Sequence, residues 1–317
     1  MTPPFAAIAP GTSGWVSLPY GVDAFVCNSS EPWQGAFAPI EGNLARPLAV
    51  VTAGIHGDEY EGPMAAIRLT QSLSPAHVRG TVVIVPIANP MAYHAGLRVT
   101  PEDGKNLART FPGDPRGSLT ERLAASLFSW ISQASFLIDL HSGGVEYEFA
   151  PLAGFYGEPS ALNPSFAAAQ RFGLPLLWKL PETKGVLSCE CYRRGITAIG
   201  CEYLGRGQLS RTGTEAYWRG VLSCLSFQGL YTSAPAFDAA GQVAHGDWLL
   251  ASAGGLFEGY CSLGEPVAAG QPVGRITSER GDVLEEFVAE DGGTILAQRN
   301  KAFIRKGDWG ILVAKHD

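Results

Sequence analysis

The sequence predicts an α/β domain followed by a small C-terminal all-β domain. Apolar, β-branched runs alternate with helical patterns through the first 235 of the 317 residues, which is typical of a three-layer α/β domain with a mixed, largely parallel sheet. From residue 236 onwards, short alternating segments are separated by glycine-containing turns, and this spacing is typical of a small barrel or sandwich. We therefore divide the chain into an α/β domain at 1–235 and an appended β domain at 236–317.

The elements of the α/β domain follow one another in a regular order. The run 47–53 is apolar throughout and stops at Gly54, as expected of a strand buried on both faces of a sheet. Pro63 then suits a first helical position, and apolar residues recur at helical spacing over 64–73. Further strands are predicted at 81–86, 136–140 and 196–201, and further helices at 119–132 and 210–231.

Composition and charge exclude several classes of function. The chain has 23 Lys and Arg against 30 Asp and Glu, so it lacks the basic surface that nucleic-acid binding requires. Hydrophobic residues make up 46% of the sequence, which is enough to bury a sizeable core. No apolar stretch reaches the roughly 20 residues of a membrane span, and no targeting signal is recognised. We therefore expect a cytoplasmic protein with no nucleic-acid or membrane partner.

The six cysteines do not indicate a disulfide scaffold, because they are spread thinly along the chain and are expected to be reduced. On a strand, Cys189 and Cys191 would share one face and could form a soft-metal site with Cys201. Ordinary core packing is the favoured interpretation of all three.

Polar residues follow the predicted strands at their carboxyl ends, where ligands bind in open α/β sheets. His56 and Glu59 come directly after the strand at 47–53, and an imidazole with a carboxylate is a ligand pair suited to zinc. This His-x-x-Glu spacing is a weak signal by itself. His141 follows the strand at 136–140 and would add a third ligand from the same sheet edge. Two histidines and one glutamate with an open position form the ligand set of a hydrolytic zinc centre.

Two carboxylates near these ligands are candidates for supporting roles. Asp139 lies two residues before His141 and shares its face of the strand, so it could accept a hydrogen bond from a ligand imidazole. The alternative for Asp139 is a solvated strand-end carboxylate. Glu202 follows the strand at 196–201, and a carboxylate at the rim of a low-dielectric pocket suits a general base. Beside three metal ligands, Glu202 is interpreted as catalytic rather than as a surface residue.

The long loop after the strand at 81–86 carries Arg98 and Arg109. Guanidinium groups near a zinc site suit two tasks. One can stabilise a developing oxyanion, and another can bind a substrate carboxylate through paired hydrogen bonds.

A second basic segment, Tyr192, Arg193 and Arg194, lies shortly upstream of Glu202. These residues are candidates for substrate specificity, because they could contact the acyl or acidic part of a substrate. The alternative is a solvated hairpin with exposed arginines, which is the more common arrangement.

Four motifs occur in a defined order along the chain. They are His-Gly-Asp-Glu at 56–59, Asn-Leu-Ala-Arg followed by Phe-Pro-Gly at 106–113, Asp-Leu-His at 139–141, and Glu202. In order and approximate spacing they resemble the succinylglutamate desuccinylase/aspartoacylase family of the zinc carboxypeptidase-like superfamily. The resemblance extends from Pro47 to the C-terminus and includes the appended β domain.

The resemblance implies one zinc ion per chain, held by His56, Glu59 and His141. It implies a zinc-dependent hydrolase that removes an acyl group from an N-acylated amino acid or related amine. Zinc would activate a water molecule, and Glu202 would take the water proton and return it to the departing amine.

The resemblance also implies roles for the residues of the long loop. Arg109 would bind a substrate carboxylate, with Asn106 as a further substrate-binding residue, and Arg98 would polarise the scissile carbonyl. The sequence departs from the family pattern at Ala108, because the family usually has Asn immediately before the arginine. An amide that contacts the carboxylate is therefore missing.

Two other functions remain open at this point. A zinc carboxypeptidase acting on short peptides would use the same metal centre, although a β domain over the cleft would exclude long chains. A non-enzymatic zinc-binding module is the second alternative, and the presence of Glu202 speaks against it. Gly-x-Ser-x-Gly, phosphate-loop and Gly-x-Gly-x-x-Gly motifs are absent, which excludes the corresponding hydrolase and nucleotide-binding classes. A homo-oligomer is a reasonable expectation for such an enzyme.

Overall fold

The computed structural model describes residues 3–31, 47–232 and 241–316, and a mixed central sheet runs through its larger part. The strands of this sheet are β1 (Ser13–Ser17), β2 (Asp23–Asn28), β3 (Leu48–Thr52), β4 (Thr81–Val85), β5 (Phe136–His141), β6 (Tyr147–Phe155), β7 (Leu176–Lys179) and β8 (Thr197–Gly205). They lie side by side in the order β1, β2, β4, β3, β5, β8, β6, β7. The helices are α1 (Glu61–Ser72), α2 (Pro90–Ala95), α3 (Leu119–Ile131), α4 (Pro164–Phe172), α5 (Leu187–Tyr192) and α6 (Arg211–Phe227).

Parallel pairs form the centre of the sheet, and β6 and β7 at one side of it are also parallel. β4, β3, β5 and β8 are parallel neighbours, whereas β2 pairs antiparallel with β1 and β4, and β6 pairs antiparallel with β8. The sheet is therefore mixed, and its parallel section is shorter than the largely parallel sheet that the sequence predicts. Antiparallel neighbours need no helical crossover, so the strand and helix alternation in the sequence does not reveal them.

Helices cover both faces of the central sheet because its inner strands are apolar on both faces. On β3, Leu48 and Val50 belong to the cluster that includes α3 and α5, whereas Ala49 and Val51 belong to the cluster that includes α1, α4 and α6. The α/β character of the prediction is thus observed. None of the helices in the described ranges is both long and apolar enough to cross a lipid bilayer.

Two local predictions are wrong. Helix α1 begins at Glu61, so Pro63 is its third residue rather than its first; the whole first turn tolerates proline, because its N–H groups have no partner within the helix. Residues 189 and 191 lie on helix α5 instead of a strand. Side chains that are two residues apart on a helix point to different sides. In addition, Cys191 and Cys201 pack in the hydrophobic clusters on opposite faces of the sheet. The three cysteines therefore do not form a soft-metal site.

The C-terminal segment is built of strands and closes a barrel onto the central sheet. Its strands are β9 (Gln242–Leu250), β10 (Gly255–Gly259), β11 (Pro266–Val267), β12 (Pro272–Thr277), β13 (Val283–Val288), β14 (Gly293–Arg299), β15 (Phe303–Ile304) and β16 (Trp309–His316). β7 pairs with β9, β9 with β16, β16 with β14, and β14 with β6. We call this closed ring of β6, β7, β9, β16 and β14 the barrel. Because β6 and β7 belong to both, the barrel and the central sheet share strands.

Candidate active site

The first two predicted ligands lie on a tight loop after β3. The chain turns at Gly54, whose φ of 63° is in the left-handed region. Gly57 packs so closely against α2 that a Cβ atom at this position would lie 2.0 Å from the carbonyl of Ala92. His56 and Glu59 are thereby held inside the protein, 3% and 2% exposed.

His141 reaches the same point from the end of β5. β3 and β5 are parallel neighbours, so their carboxyl ends lie at one edge of the sheet. Glu59 bridges the two imidazoles: Oε1 lies 2.6 Å from His56 Nδ1, and Oε2 lies 3.1 Å from His141 Nδ1. One ligand atom of each side chain lies within 4.8 Å of the others. Across the described ranges, no other such group of His, Cys, Asp or Glu side chains is found. We call these three residues the triad.

The outer nitrogen of each histidine has its own oxygen partner. His56 Nε2 donates to Asn106 Oδ1 over 3.0 Å, and His141 Nε2 donates to Asp139 Oδ2 over 3.1 Å. The hydroxyl of Thr52 donates to the other oxygen of Asp139 over 2.6 Å. Such partners fix the orientation and tautomer of a ligand imidazole and leave Nδ1 available to a metal.

The charges of the triad suit a divalent cation. Burial opposes ionisation of Glu59, but His56 and His141 hold the pKa of its carboxyl well below the usual value. Burial and nearby Arg98 lower the pKa of His56 to about 4. Burial also acts on His141, but Asp139 and Glu59 outweigh it and raise the pKa well above the usual value. These negative neighbours favour a positive charge at this place, which a bound metal would supply. Two imidazole nitrogens and a carboxylate that converge in this way fit zinc with an open position.

Two further donors hold Glu59. Arg98 Nη1 donates to Oε1 and the backbone N–H of Ser142 donates to Oε2, each over 3.1 Å. The sequence predicts that Arg98 faces a substrate carbonyl, and the structure pairs its guanidinium with Glu59. Sequence reasoning missed Ser142, because the direction of a backbone N–H cannot be deduced from residue type.

Glu202 lies beside the triad on the neighbouring strand β8. In the register of β5 and β8 it pairs with His141. Burial raises the pKa of its carboxyl to about 8, because the attraction of His141 does not outweigh lost hydration and repulsion from Glu59. Its Oε2 atom is buried and has no hydrogen-bond partner within the described residues. A carboxyl group with a free oxygen in such a place can accept and return a proton.

Asn106 contacts the triad and the loop that carries Arg109. Its Oδ1 atom accepts from the N–H of Ala108 over 2.8 Å, which caps the short 3-10 turn Leu107–Arg109, as well as from His56. The sequence predicts a substrate-binding role for Asn106. In the structure its oxygen is directed at the imidazole and the turn.

Arg109 lies at the open side of the site. Its Nη1 atom donates to the carbonyl of Ala108 over 2.9 Å, and its guanidinium carbon lies 5.9 Å from the centre of the Trp309 ring. Arg109 is exposed to solvent, but nearby protein atoms partly desolvate its guanidinium. This loss of hydration, together with the positive charge of Arg98, lowers the pKa of the guanidinium. Sequence reasoning missed Trp309, which lies 200 positions further along the chain.

The basic segment after α5 does not meet the triad in any contact of the described residues. Tyr192 is the last residue of that helix, and Arg193 and Arg194 follow it exposed. The segment is therefore a helix end rather than the hairpin considered as an alternative. The ring of Tyr192 is stacked on that of Tyr156, with ring centres 5.0 Å apart. Arg193 donates a hydrogen bond to the carboxylate of Glu182 over 3.3 Å, and Arg194 donates one to the carbonyl of Glu190 over 3.0 Å.

Two buried carboxylates that sequence reasoning did not single out brace the ligand loop. Asp58 accepts from the N–H of Val145 over 2.9 Å, and Glu61 accepts from the N–H of Ser210 over 3.0 Å. Burial raises the pKa of both carboxyls. They tie the loop of Glu59 to the segments that follow β5 and β8. The acidic cluster is visible in the sequence, but its distant backbone partners are not.

Comparisons with known proteins agree with this architecture. A family model for the succinylglutamate desuccinylase/aspartoacylase catalytic domain matches residues 45–228. The chain is 30% identical to an N-alpha-acetyl-L-2,4-diaminobutyric acid deacetylase of Halomonas elongata, over 95% of this chain and 91% of the relative.

Solved structures extend the similarity to nearly the whole chain. The product-bound ectoine utilization protein EutE (DoeB) of Ruegeria pomeroyi is 27% identical with a TM-score of 0.84, covering 99% of this chain and 98% of that one. A succinylglutamate desuccinylase/aspartoacylase of Rhodobacter sphaeroides is 26% identical with a TM-score of 0.82, covering 96% of each chain. The chain belongs to the succinylglutamate desuccinylase/aspartoacylase family.

Proposed function

We propose that this protein hydrolyses the amide bond of an N-acylated amino acid or a related amine and that it does so with one zinc ion. The observation that carries the proposal is the triad of His56, Glu59 and His141 at one sheet edge, with the unpartnered carboxyl of Glu202 beside it. Family membership and the deacetylase of Halomonas elongata support acyl-amide hydrolysis as the reaction class.

The triad would hold the zinc ion, and Asn106 and Asp139 would orient the two imidazoles. Bound zinc would lower the pKa of a water molecule and polarise the scissile carbonyl. Arg98, already paired with Glu59, lies close enough to the triad to support negative charge that develops on the carbonyl oxygen.

Glu202 would move the proton. Its free Oε2 atom would take a proton from the attacking water and return it to the nitrogen of the leaving amine. A carboxyl whose pKa lies near neutral pH can do both, since neither proton transfer is strongly uphill.

Arg109 would bind the carboxylate of the substrate. Among the described residues no carboxylate lies within ion-pair distance of its guanidinium, so its charge is available to a ligand. A guanidinium binds a carboxylate through two parallel hydrogen bonds. Ala108 offers no polar side chain beside it, so the recognition of the carboxylate would depend mainly on Arg109.

The test is amine release by the zinc-loaded protein from a panel of acylated compounds, each with and without a chelator. The panel contains N-acetyl and N-succinyl amino acids, N-acetylated diamino acids and dipeptides. We expect chelator-sensitive turnover of acylated amino compounds, N-acetylated diamino acids included. A preference for dipeptides would show a carboxypeptidase instead, and no turnover by fully metallated protein would favour a zinc-binding module.

A further inference from the structure

Three aromatic side chains meet where the barrel joins the central sheet, next to the candidate active site. Trp248 on β9 and Trp309 at the start of β16 are stacked, with ring centres 4.9 Å apart and planes 12° apart. Tyr147 on β6 lies 5.7 Å from each of them. We call these three residues the aromatic cluster.

Both arginines of the candidate active site lie over this cluster. The guanidinium carbon of Arg98 is 5.8 Å from the Tyr147 ring centre, and that of Arg109 is 5.9 Å from the Trp309 ring centre. Arg98 also has an ion pair with Glu59. The guanidinium of Arg109 donates a hydrogen bond to the carbonyl of its own neighbour Ala108, lies over the Trp309 ring, and is attracted by the carboxyl of Glu202. Among the described residues, the Trp309 ring is therefore the aromatic face from a distant part of the chain that lies against the Arg109 guanidinium.

The position of Trp309 is itself well determined. Arg299 is 4% exposed, and its Nη1 atom lies 3.4 Å from both the hydroxyl of Tyr147 and Asp308. Asp308 precedes Trp309 and also accepts from the N–H of Arg305 over 3.0 Å. A single buried guanidinium thus anchors both sides of the aromatic cluster, which makes the Trp309 ring a stable surface for Arg109.

We propose that Trp309 is a positioning residue that holds the guanidinium of Arg109 ready for the substrate carboxylate. Through this contact the C-terminal strands take part in selecting acylated amino acids that carry a free carboxylate. The proposal rests on the function proposed above. A cation over an indole face is attracted by the ring and loses conformational freedom, so less freedom remains to be lost when the carboxylate binds.

The chain offers a matched control for this contact. The guanidinium carbon of Arg68 lies 4.1 Å from the ring centre of Trp218, on the far helices α1 and α6. Trp218→Leu therefore removes an arginine and tryptophan contact of the same kind away from the site. Trp309→Leu removes the contact in question, and Trp309→Phe keeps an aromatic ring.

The first measurement does not depend on activity. Arginine side chains are modified with phenylglyoxal, and the rate at each position is read by peptide mass spectrometry. In Trp309→Leu we expect Arg109 to react about two to five times faster, as the loss of a partly exposed cation–π contact implies, with Arg68 unchanged. Trp218→Leu should show the reverse pattern. An unchanged rate at Arg109 in Trp309→Leu would overturn the proposal.

The second measurement separates positioning from general loss of structure. For an N-acetyl amino acid, Trp309→Leu should raise KM about fivefold with little change in kcat, and Trp309→Phe should restore part of the loss. The corresponding amide, which lacks the carboxylate, should show no rise, and neither should Trp309→Leu made in an Arg109→Ala background. Equal losses for acid and amide, or a loss in kcat alone, would overturn the proposal. If the wild-type protein processes no acylated compound, the proposed function fails, and the phenylglyoxal rates still decide whether Trp309 holds Arg109.

Discussion

The candidate active site has two sides of different construction. On the ligand side, the triad lies at the carboxyl ends of β3 and β5, Glu202 lies within β8 beside His141, and charged groups contact one another at 2.6 to 3.1 Å. On the aromatic side, Arg98 and Arg109 lie over rings at nearly 6 Å. Short contacts between buried charges require precise geometry, and the loss of one partner is costly because it leaves the other charge buried and unpaired. Contacts over aromatic faces are weaker and tolerate change. Chemistry should therefore depend on the first side and substrate recognition on the second, and Arg98, which pairs with Glu59 and lies over Tyr147, belongs to both.

The largest expected effect is on the ligand side. Glu202→Gln keeps the size of the side chain but removes its capacity to accept a proton, so kcat should fall about a thousandfold. The zinc content should stay at the wild-type level, because Glu202 is not part of the triad. Steady-state kinetics with metal analysis checks both. A near-normal kcat in this variant would break the assignment of the proton-transfer role.

The next effect concerns the oxygens that orient the two histidines. Asp139→Asn and Asn106→Ala each disturb one Nε2 partner, so each should weaken zinc binding about tenfold to a hundredfold. Competition with a chelator of known affinity measures this. Trp218→Leu, remote from the triad, should bind zinc as the wild type does. Unchanged zinc affinity in both variants would show that the imidazoles need no such support.

An effect of comparable size, on stability, is expected where the barrel and the central sheet join. Arg299→Met removes a buried guanidinium that donates to the carbonyls of Lys301 and Phe303, so it should lower the free energy of unfolding by about 3 kcal/mol. Urea unfolding followed by tryptophan fluorescence and far-ultraviolet circular dichroism measures it. Because β6 and β7 belong to both regions, both signals should shift together. Arg305→Met, at an exposed position, is the control, and separate transitions would show that the barrel unfolds by itself.

The smallest effect concerns the loop between Arg98 and Arg109. Burial opposes ionisation of Asp103, but hydrogen bonds from Thr120 and Lys105 lower the pKa of its carboxyl to about 2. A depressed folded-state pKa stabilises the protein above the unfolded value near 4, and this stabilisation disappears as the pH falls through about 2.

Asp103→Asn should therefore cost about 1 kcal/mol at pH 6, because solvent screens this half-exposed group, and nothing near pH 2. Urea unfolding at a series of pH values compares the variant with the wild type. A difference that stays constant with pH would contradict an electrostatic origin.

The sequence predicted the ligand side far better than the aromatic side. His56 and Glu59 are three residues apart on one loop, and His141 follows a neighbouring parallel strand, so motif spacing and strand order suffice to bring them together. The role of Asn106 could not be foreseen, because its amide could face either the cleft or the imidazole. Helix α5 was not predicted, since a six-residue helix is too short to show a clear period.

Residue patterns alone were enough to predict the ends of β3 and β5, the order of the motifs and the chemical types of the ligands, whereas β8 continues past the predicted end at residue 201 to Gly205 and contains Glu202. All of these follow from local pattern and from the rule that parallel strands end at one edge. Three features became visible in the folded chain alone: β6 and β7 belong to both the barrel and the central sheet, the N–H of Ser142 is directed at Glu59, and Trp309 lies beside Arg109. The physical reason is that such contacts depend on how distant segments pack, and packing is set by the whole core rather than by any local pattern.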